Sequence, residues 1–519
     1  MSTEAVAAPL VRRPHAEIGA VLSGALYCLA FAGFDQWYLT FVALVPLWIS
    51  LQGQTVKRAT WLGFLTGLTM NLGGFYWLTT MLQTFSGFPL PLCMLFVVII
   101  CAYQGGRFAF FGWLYGRAAH RGWPAPLVFA GAFATSELVF PLLFPWYYAA
   151  TVHQVSYLTQ VAELGGPILI GLVLVAVNLA VAEPFLARMR GVAPNRRVLV
   201  TGAAALVLTL VFSAIRIPMV NANVASAESV RAGFVQGNMG LMQKRERPGE
   251  GLRRHVNLTR ELRDKGVDFV VWSESSVTFP VNEERGMNGH FYRDSFAASL
   301  GMPAIFGGVL VHTDPDPTRD RWFNTAIATD VRGEVTGRYD KHYLLAFGEY
   351  LPFGQTFPIL YKWSPHSGRF TPGTDIEPVD LEVKGQKHKV SVLICYEDIL
   401  PYFTNNAVKK DTELLVNITN DAWFGDTAEP WEHLALAKFR AIEHRRFLVR
   451  STNSGVSAIV DPVGRIVTST KTFVADAQQA DVHWMKGTTV YEVVGDVPYY
   501  LITLGIVVAA FRRRQVGSA

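Results

Sequence analysis

Apolar residues fill seven long blocks in the first 215 positions, near 16–34, 37–52, 60–82, 88–116, 123–142, 165–187 and 197–215, and one more near 497–511. Several approach or exceed the roughly 20 residues that carry a helix across a bilayer. The second and the last are short for that purpose. Between them the rhythm changes. Short β-type runs recur at Ala232–Gln236, Asp268–Trp272, Ala304–Val311, Asn324–Thr329, Lys389–Ile394, Leu414–Ile418, Phe447–Arg450 and Val456–Val460, with helical stretches at 251–265 and 431–446. Strands alternating with helices and then pairing as hairpins predict a layered α/β sandwich. The pattern divides the chain into a transmembrane helical domain (1–215), a polar domain (216–496) and a C-terminal transmembrane helix with its tail (497–519).

Composition agrees with a protein partly dissolved in lipid. Half of the 519 residues are hydrophobic and only 17% are charged, a balance foreign to soluble enzymes. The net charge of +5 is modest, but its placement is informative. Arg12, Arg13, Lys57, Arg58, Arg117, Arg121, Arg188, Arg190, Arg196, Arg197 and Arg512–Arg514 occupy alternate loops, whereas 83–87 and 143–164 contain no Lys or Arg. By the positive-inside rule the N-terminus is cytoplasmic, and seven spans then place the polar domain on the outer face. The expected location is a bacterial inner membrane, multi-pass, with the polar domain periplasmic. A cleaved signal peptide does not fit the first block, since further spans follow it. No basic stripe, zinc-finger spacing or phosphate loop points to nucleic acid.

The spans carry polar positions of their own. Glu137, Arg107, Asn71 and Asn178 fall inside them, where ionisable groups face a cavity or one another. A Glu137–Arg107 pair serves packing as readily as function. The aromatic clusters Phe75–Trp77 and Phe144–Tyr148 read as interfacial anchors near the outer ends of the third and fifth spans, or as part of a lipid site.

The candidate chemistry centres on Val392–Asp398, V-L-I-C-Y-E-D. Cys28, Cys93 and Cys101 all lie in apolar blocks, so Cys395 has no disulfide partner in its own domain. It is either a buried cysteine behaving as a small hydrophobe or a nucleophile in need of partners. A nucleophilic thiol requires a base and a donor for the oxyanion. Nine histidines are available, but none stands in a cysteine-protease signature. Two other stretches place a charged residue just after a β-run: V-V-W-S-E-S, with Glu274, and Y-D-K-H-Y-L-L-A-F-G-E-Y-L, with Lys341 and Glu349.

Glu274, Lys341 and Cys395, in that order and in those settings, resemble the Glu-Lys-Cys triad of the nitrilase (carbon–nitrogen hydrolase) superfamily. The likeness extends to V-Q-G-N (235–238), V-N-I-T-N-D-A-W-F-G-D (416–426) and R-S-T-N-S-G-V-S (450–457). With its spans, the whole chain is similar to the bacterial apolipoprotein N-acyltransferases, membrane-embedded members of that superfamily. The resemblance implies a nitrilase-like αββα sandwich beside a bundle of about eight spans. It implies transfer of a fatty acyl chain from a phospholipid donor, through a cysteine thioester, to the N-terminal amine of a diacylglyceryl-cysteine apolipoprotein. It also implies roles: Cys395 as nucleophile, Glu274 as general base, and Lys341 stabilising the oxyanion and favouring the thiolate. Glu349 supports Lys341 or assists proton transfer, Tyr396 and Glu397 shape the pocket, and Asn324 and Trp423 stand near it. The family often has Trp where an ungapped count from Q-G-N reaches Arg245. The aromatic-rich segment 347–363 is a candidate lid over a lipid-facing site or a packed loop. No cofactor or metal is implied, and a monomer is expected.

Two rivals remain. A membrane-tethered amidase would share the triad but release ammonia from a small soluble amide. A transporter or lipid-binding protein would carry an inert domain of the same fold.

Overall fold

The computed structural model describes residues 9–240, 247–288, 290–316, 319–346, 348–351, 353–354, 356–357, 359–363, 368–408 and 411–514. Two compact units divide the chain. One comprises Met1–Pro218, Thr427–Phe439 and Val493–Ala519; the other comprises Met219–Asp426 and Arg440–Glu492.

The first unit is helical. Its principal helices are His15–Leu29, Val45–Leu51, Val56–Gly74, Leu78–Ser86, Leu90–Ala119, Ala125–Val139, Ala162–Arg190 and Val497–Phe511, and Arg196–Ser226 begins in it. Leu90–Ala119, Ala162–Arg190 and Arg196–Ser226 are long and apolar enough to cross a membrane; four shorter apolar helices accompany them. The apolar blocks are interrupted where local chemistry demands it. The block at 37–52 breaks into a 3-10 turn, Trp37–Phe41, and a helix started by Pro46. That at 60–82 stops at the Gly73-Gly74 pair, whose helix propensity is poor, and a new helix starts at Leu78. The block at 123–142 ends at Val139, just ahead of Pro141, because a residue before proline leaves the α region. Conversely, Arg196–Ser226 runs well past the expected stop at 215.

Glycines let the Val56–Gly74 and Leu90–Ala119 helices approach closely, the small-residue seam that substitutes for hydrophobic driving force in lipid. A Cβ on Gly63 would lie 2.1 Å from the Phe108 carbonyl oxygen, and one on Gly112 would lie 2.3 Å from that of Ala59. The buried polar groups of this unit hold irregular backbone. Arg107 and Glu137 pair at 3.6 Å; Arg107 donates to the Trp146 carbonyl (2.7 Å) and Tyr148 N–H to Glu137 (2.8 Å). Asn178 accepts from Leu44 N–H and donates to the Thr40 carbonyl, while Asn71 donates within its own helix to Gly67. The aromatic clusters correct the expectation of an interfacial belt. Phe75, Trp77, Trp146 and Tyr148 are at most 2% exposed. Phe75, Trp77 and Trp146 pack among themselves and with Phe31 and Phe144, with Phe31 stacked on Trp146 at 4.0 Å, and Tyr148 packs on Tyr27 and Phe133; of these clusters only Tyr76 is exposed.

The second unit holds two sheets. Its strands are β1 (Ser229–Gln236), β2 (Phe269–Trp272), β3 (Pro280–Asn282), β4 (Ala304–His312), β5 (Arg321–Thr329), β6 (Val335–Asp340), β7 (Val379–Val383), β8 (Gln386–Ile394), β9 (Leu414–Thr419), β10 (Leu448–Thr452), β11 (Ala458–Val460), β12 (Ile466–Ser469) and β13 (Asp476–His483). One sheet runs β13-β1-β2-β4-β5-β6 with β3 beside β4; the other runs β12-β11-β10-β9-β8-β7. Each has a parallel centre, β1-β2-β4 and β8-β9-β10, with antiparallel edges. Strands β2, β9 and β10 are buried throughout, as parallel strands covered on both faces must be. The sheets face one another through β1, β2, β9 and β10. The Pro248–Asp264 helix covers one outer face at β1 and β13, and Pro401–Ala407 packs on β8 in the other. The result is an αββα layering.

Charge is buried between these layers at Arg450. Its guanidinium donates to Asp398 (2.6 Å), Asn417 (2.7 Å) and Asp421 (3.1 Å), fixing the segments that follow β8 and β9. Removing one partner of such a network leaves uncompensated charge. Arg450→Met is expected to lower unfolding free energy by about 3–5 kcal/mol, read as a fall in the thermal midpoint of the purified protein.

Candidate active site

In open sheets, ligands bind beyond the carboxyl ends of the parallel strands. Glu274 follows β2, Cys395 follows β8 and Lys341 follows β6. Past Trp272 the chain bends through Ser273–Ser275, with Ser275 at φ +50°. Gly307 of β4 accommodates that bend, since a Cβ there would meet the Glu274 Cα at 2.7 Å. Lys341 is tied down by its N–H, which donates to the Asn324 carbonyl of β5 at 2.8 Å.

These side chains converge. The Lys341 ammonium, fully buried, lies 2.7 Å from Glu349 and 3.5 Å from Glu274. The Asn324 amide donates to both carboxylates, at 2.6 Å to Glu274 and 2.7 Å to Glu349. Leu345 N–H adds a 2.8 Å bond to Glu349. One lysine and one asparagine thus bridge two acids. Cys395 lies within the electrostatic reach of Lys341, Glu274 and Glu349, with Thr419 close to its sulfur. Among the described residues the charged groups acting on the thiol are Lys341, Glu274 and Glu349; His366 lies outside the described residues. The Asn417 amide donates to the carbonyls of Leu393 and Cys395.

The thiol is presented by strained backbone. Cys395 has φ +53°, a conformation costing about 1–3 kcal/mol in a residue with a Cβ, and it opens a 3-10 turn, Cys395–Ile399. Glu397 holds that turn. Completely buried, its carboxylate accepts from Ile394 N–H (2.7 Å), His342 N–H (2.7 Å), Tyr343 N–H (2.9 Å) and the Tyr339 hydroxyl (2.8 Å). Those donors join the nucleophile turn to the Lys341 loop. Burial nevertheless pushes the Glu397 pKa up to about 7.

Electrostatics sets Lys341 against burial. Burial would depress the Lys341 ammonium, but the Glu349 and Glu274 carboxylates hold its pKa well above the ordinary lysine range. Burial pushes the Cys395 pKa well above the usual thiol value; Lys341 draws it back down, as expected of a neighbouring ammonium, while Glu274 and Glu349 act with burial.

Tyr396 and Trp423 are half-buried on the turns that follow the adjacent strands β8 and β9. Arg245 lies outside the described residues, as do Phe347 and the Trp363 side chain; in the rest of the 347–363 segment Tyr350, Phe353 and Phe357 are exposed. Sequence reasoning missed Thr419, Asn417, Asp421 and Arg450. All four sit inside the quoted motif stretches, where buried polar residues in an apolar strand were the available signal. The V-Q-G-N and R-S-T-N-S stretches also meet: Asn453 Nδ2 donates to the Met239 carbonyl and Ser457 Oγ to Gln236. That contact joins the ends of β1 and β10 across the two sheets.

Comparison with known proteins matches this architecture. Residues 231–485 fit the carbon-nitrogen hydrolase family model, and residues 23–180 fit that of the apolipoprotein N-acyltransferase N-terminal domain. A nitrilase-superfamily amidase of Nesterenkonia sp. AN1 aligns with 54% of this chain and 98% of its own, at 16% identity and a TM-score of 0.38. On the family-model match the sheet-containing unit is a carbon–nitrogen hydrolase domain, in a chain that also carries a helical membrane unit. Apolipoprotein N-acyltransferases of Azotobacter vinelandii (32% identical; 91% of this chain, 90% of the relative), Geobacter metallireducens (29%; 96% and 95%) and Pseudomonas aeruginosa (30%; 91% and 91%) match over nearly their full lengths. The chain belongs to the apolipoprotein N-acyltransferase family, and it is a membrane enzyme of the acyltransferase class.

Proposed function

We propose that this enzyme moves a fatty acyl chain from a membrane phospholipid to the N-terminal amine of a diacylglyceryl-cysteine apolipoprotein, in two half-reactions through a thioester on Cys395. The observation that carries the reading is the lone thiol within reach of a lysine clamped between Glu274 and Glu349. In the first half-reaction Glu274 takes the thiol proton as sulfur attacks the ester carbonyl. Lys341 stabilises the tetrahedral oxyanion, and the proton passes to the departing lysophospholipid oxygen. In the second, the acceptor amine attacks the thioester, Glu274 removes its proton, and the thiol is restored. Asn324 and Glu349 keep Glu274 and Lys341 in register. Glu397 holds the nucleophile turn, and Tyr396 and Trp423 line its approach. The scheme calls for neither metal nor cofactor.

Water must be kept from the thioester, or the enzyme becomes a phospholipase. A site open to lipid rather than solvent achieves this, with Tyr350, Phe353 and Phe357 as the apolar rim of the 347–363 segment. In this reading, which the distribution of basic loops supports, the N-terminus is cytoplasmic and the hydrolase domain lies on the periplasmic face of the inner membrane. In this reading the shorter apolar helices complete a bundle of about eight spans, and the protein acts as a monomer.

Mass spectrometry of enzyme purified from membranes tests the scheme. A fatty-acyl adduct is expected on Cys395, discharged by a diacylglyceryl-peptide and absent from Cys395→Ala. An adduct on another residue, or ammonia release from small amides without any acyl adduct, would favour a hydrolase instead.

A further inference from the structure

In the helical unit, five arginines gather where the Leu90–Ala119 and Val497–Phe511 helices end together. Arg117 Nε donates to the Ala510 carbonyl (3.2 Å) and Arg121 Nη1 to the Arg117 carbonyl (3.1 Å). Trp123 Nε1 donates to the Arg512 carbonyl (3.0 Å), and Arg514 N–H to the Arg121 carbonyl (3.0 Å). These bonds fasten the Arg512-Arg513-Arg514 tail against the Arg117–Trp123 corner. The Arg117 guanidinium also lies over the rings of Trp113 (5.3 Å) and Phe511 (4.6 Å), which fixes its plane. Among the described residues no carboxylate pairs with Arg117, Arg121, Arg512, Arg513 or Arg514, whereas Arg58 is paired with Glu17 and Arg216 with Glu163.

Topology signalling accounts for basic residues in a loop. It does not require that two segments so far apart in sequence be bolted together, or that their charge go unneutralised. The adjoining surface supplies the rest. Leu504, Val507, Val508 and Phe511, spaced along one face of their helix, are all exposed, so an apolar strip leads directly to the arginine cluster. We infer that this corner is a binding site for an anionic phospholipid: its phosphate on the guanidiniums, which suit phosphate geometry, and an acyl chain along the strip. It is separate from the acyl-donor site and does not depend on the proposed chemistry.

The test is native mass spectrometry of the full chain in neutral detergent. The protein is titrated with phosphatidylglycerol, with phosphatidylcholine of the same chains, and with inorganic phosphate. Phosphatidylglycerol is expected to be retained about tenfold better than phosphatidylcholine, and inorganic phosphate neither to bind nor to compete. The triple variant R512Q/R513Q/R514Q alters only exposed tail residues, so it should fold and keep acyl transfer while losing the preference. The matching triple lysine variant, with its charge intact, should keep only part of it. Equal retention of the two lipids, competition by inorganic phosphate, or an unchanged preference in the glutamine variant would overturn the site.

Discussion

Glu274→Gln is expected to cut turnover by about 10²–10⁴-fold, the range a positioned general base supplies, while leaving the fold intact. The substitution keeps the shape of the side chain, and its amide oxygen can still accept from Asn324, which donates to Glu274 at 2.6 Å. What it removes is the proton acceptor. That loss is severe here because burial and two carboxylates keep the Cys395 sulfur protonated at rest. An enzyme with a preformed thiolate would acylate without Glu274 and stall only at the amine step. The block is therefore expected in the first half-reaction: mixed with phospholipid and no acceptor, the variant releases no burst of lysophospholipid and carries no adduct on Cys395. Full acylation at the normal rate, followed by failure to discharge, would show that the base acts on the amine alone.

The positions of the triad were legible because each is announced by its neighbours. A β-run followed by one charged or nucleophilic residue places that residue at a sheet edge, and Glu274, Lys341 and Cys395 each have this signature. Their electrostatics was not legible. Lys341 draws the Cys395 pKa down, but burial of the sulfur outweighs it, and that burial, like the Glu349 and Asn324 contacts around the lysine, arises between β5, β6 and a loop that no local pattern encodes. The same holds for Arg450, whose partners Asp398 and Asp421 follow two different strands.

The sheets show a similar division. The strands read from the sequence with bounds were those with buried, apolar cores, whereas β3, β7, β12 and β13 went unseen and β6 was read only as the run that ends before Lys341. β6 is only half-buried along most of its length and β12 is exposed at Ile466 and Val467, so neither offers an apolar run. In the helical unit, hydropathy located the apolar blocks but not their breaks, which depend on Pro46 and Gly73-Gly74. Hydropathy also misplaced the aromatic clusters. Phe75, Trp77 and Trp146 look the same in a sequence whether they face headgroups or one another, and they pack in the interior because Arg107 and Glu137 fix the backbone of the Trp146–Tyr148 segment there.

Lys341→Met separates the two services this lysine performs on the proposed scheme. As oxyanion donor, its loss is expected to cost about 10²–10³-fold in kcat, the range measured for a single preorganised donor elsewhere. As counter-ion it also holds two buried acids together. Without the ammonium, Glu274 and Glu349 share one Asn324 amide and repel, so one of them takes up a proton and Glu274 fails as a base as well. The single variant should therefore fall below the oxyanion range alone and lose thermal stability. Adding Glu349→Gln removes the repulsion, since one neutral amide and one carboxylate can be satisfied by Asn324. The double variant is expected to regain the thermal midpoint and the part of the rate lost through Glu274, but to remain at least about 10²-fold below the unmodified enzyme. Recovery of full turnover in the double variant would reduce Lys341 to a structural counter-ion and leave the oxyanion without its donor. Recovery of neither rate nor midpoint would show that the two carboxylates are not coupled through the lysine that lies between them.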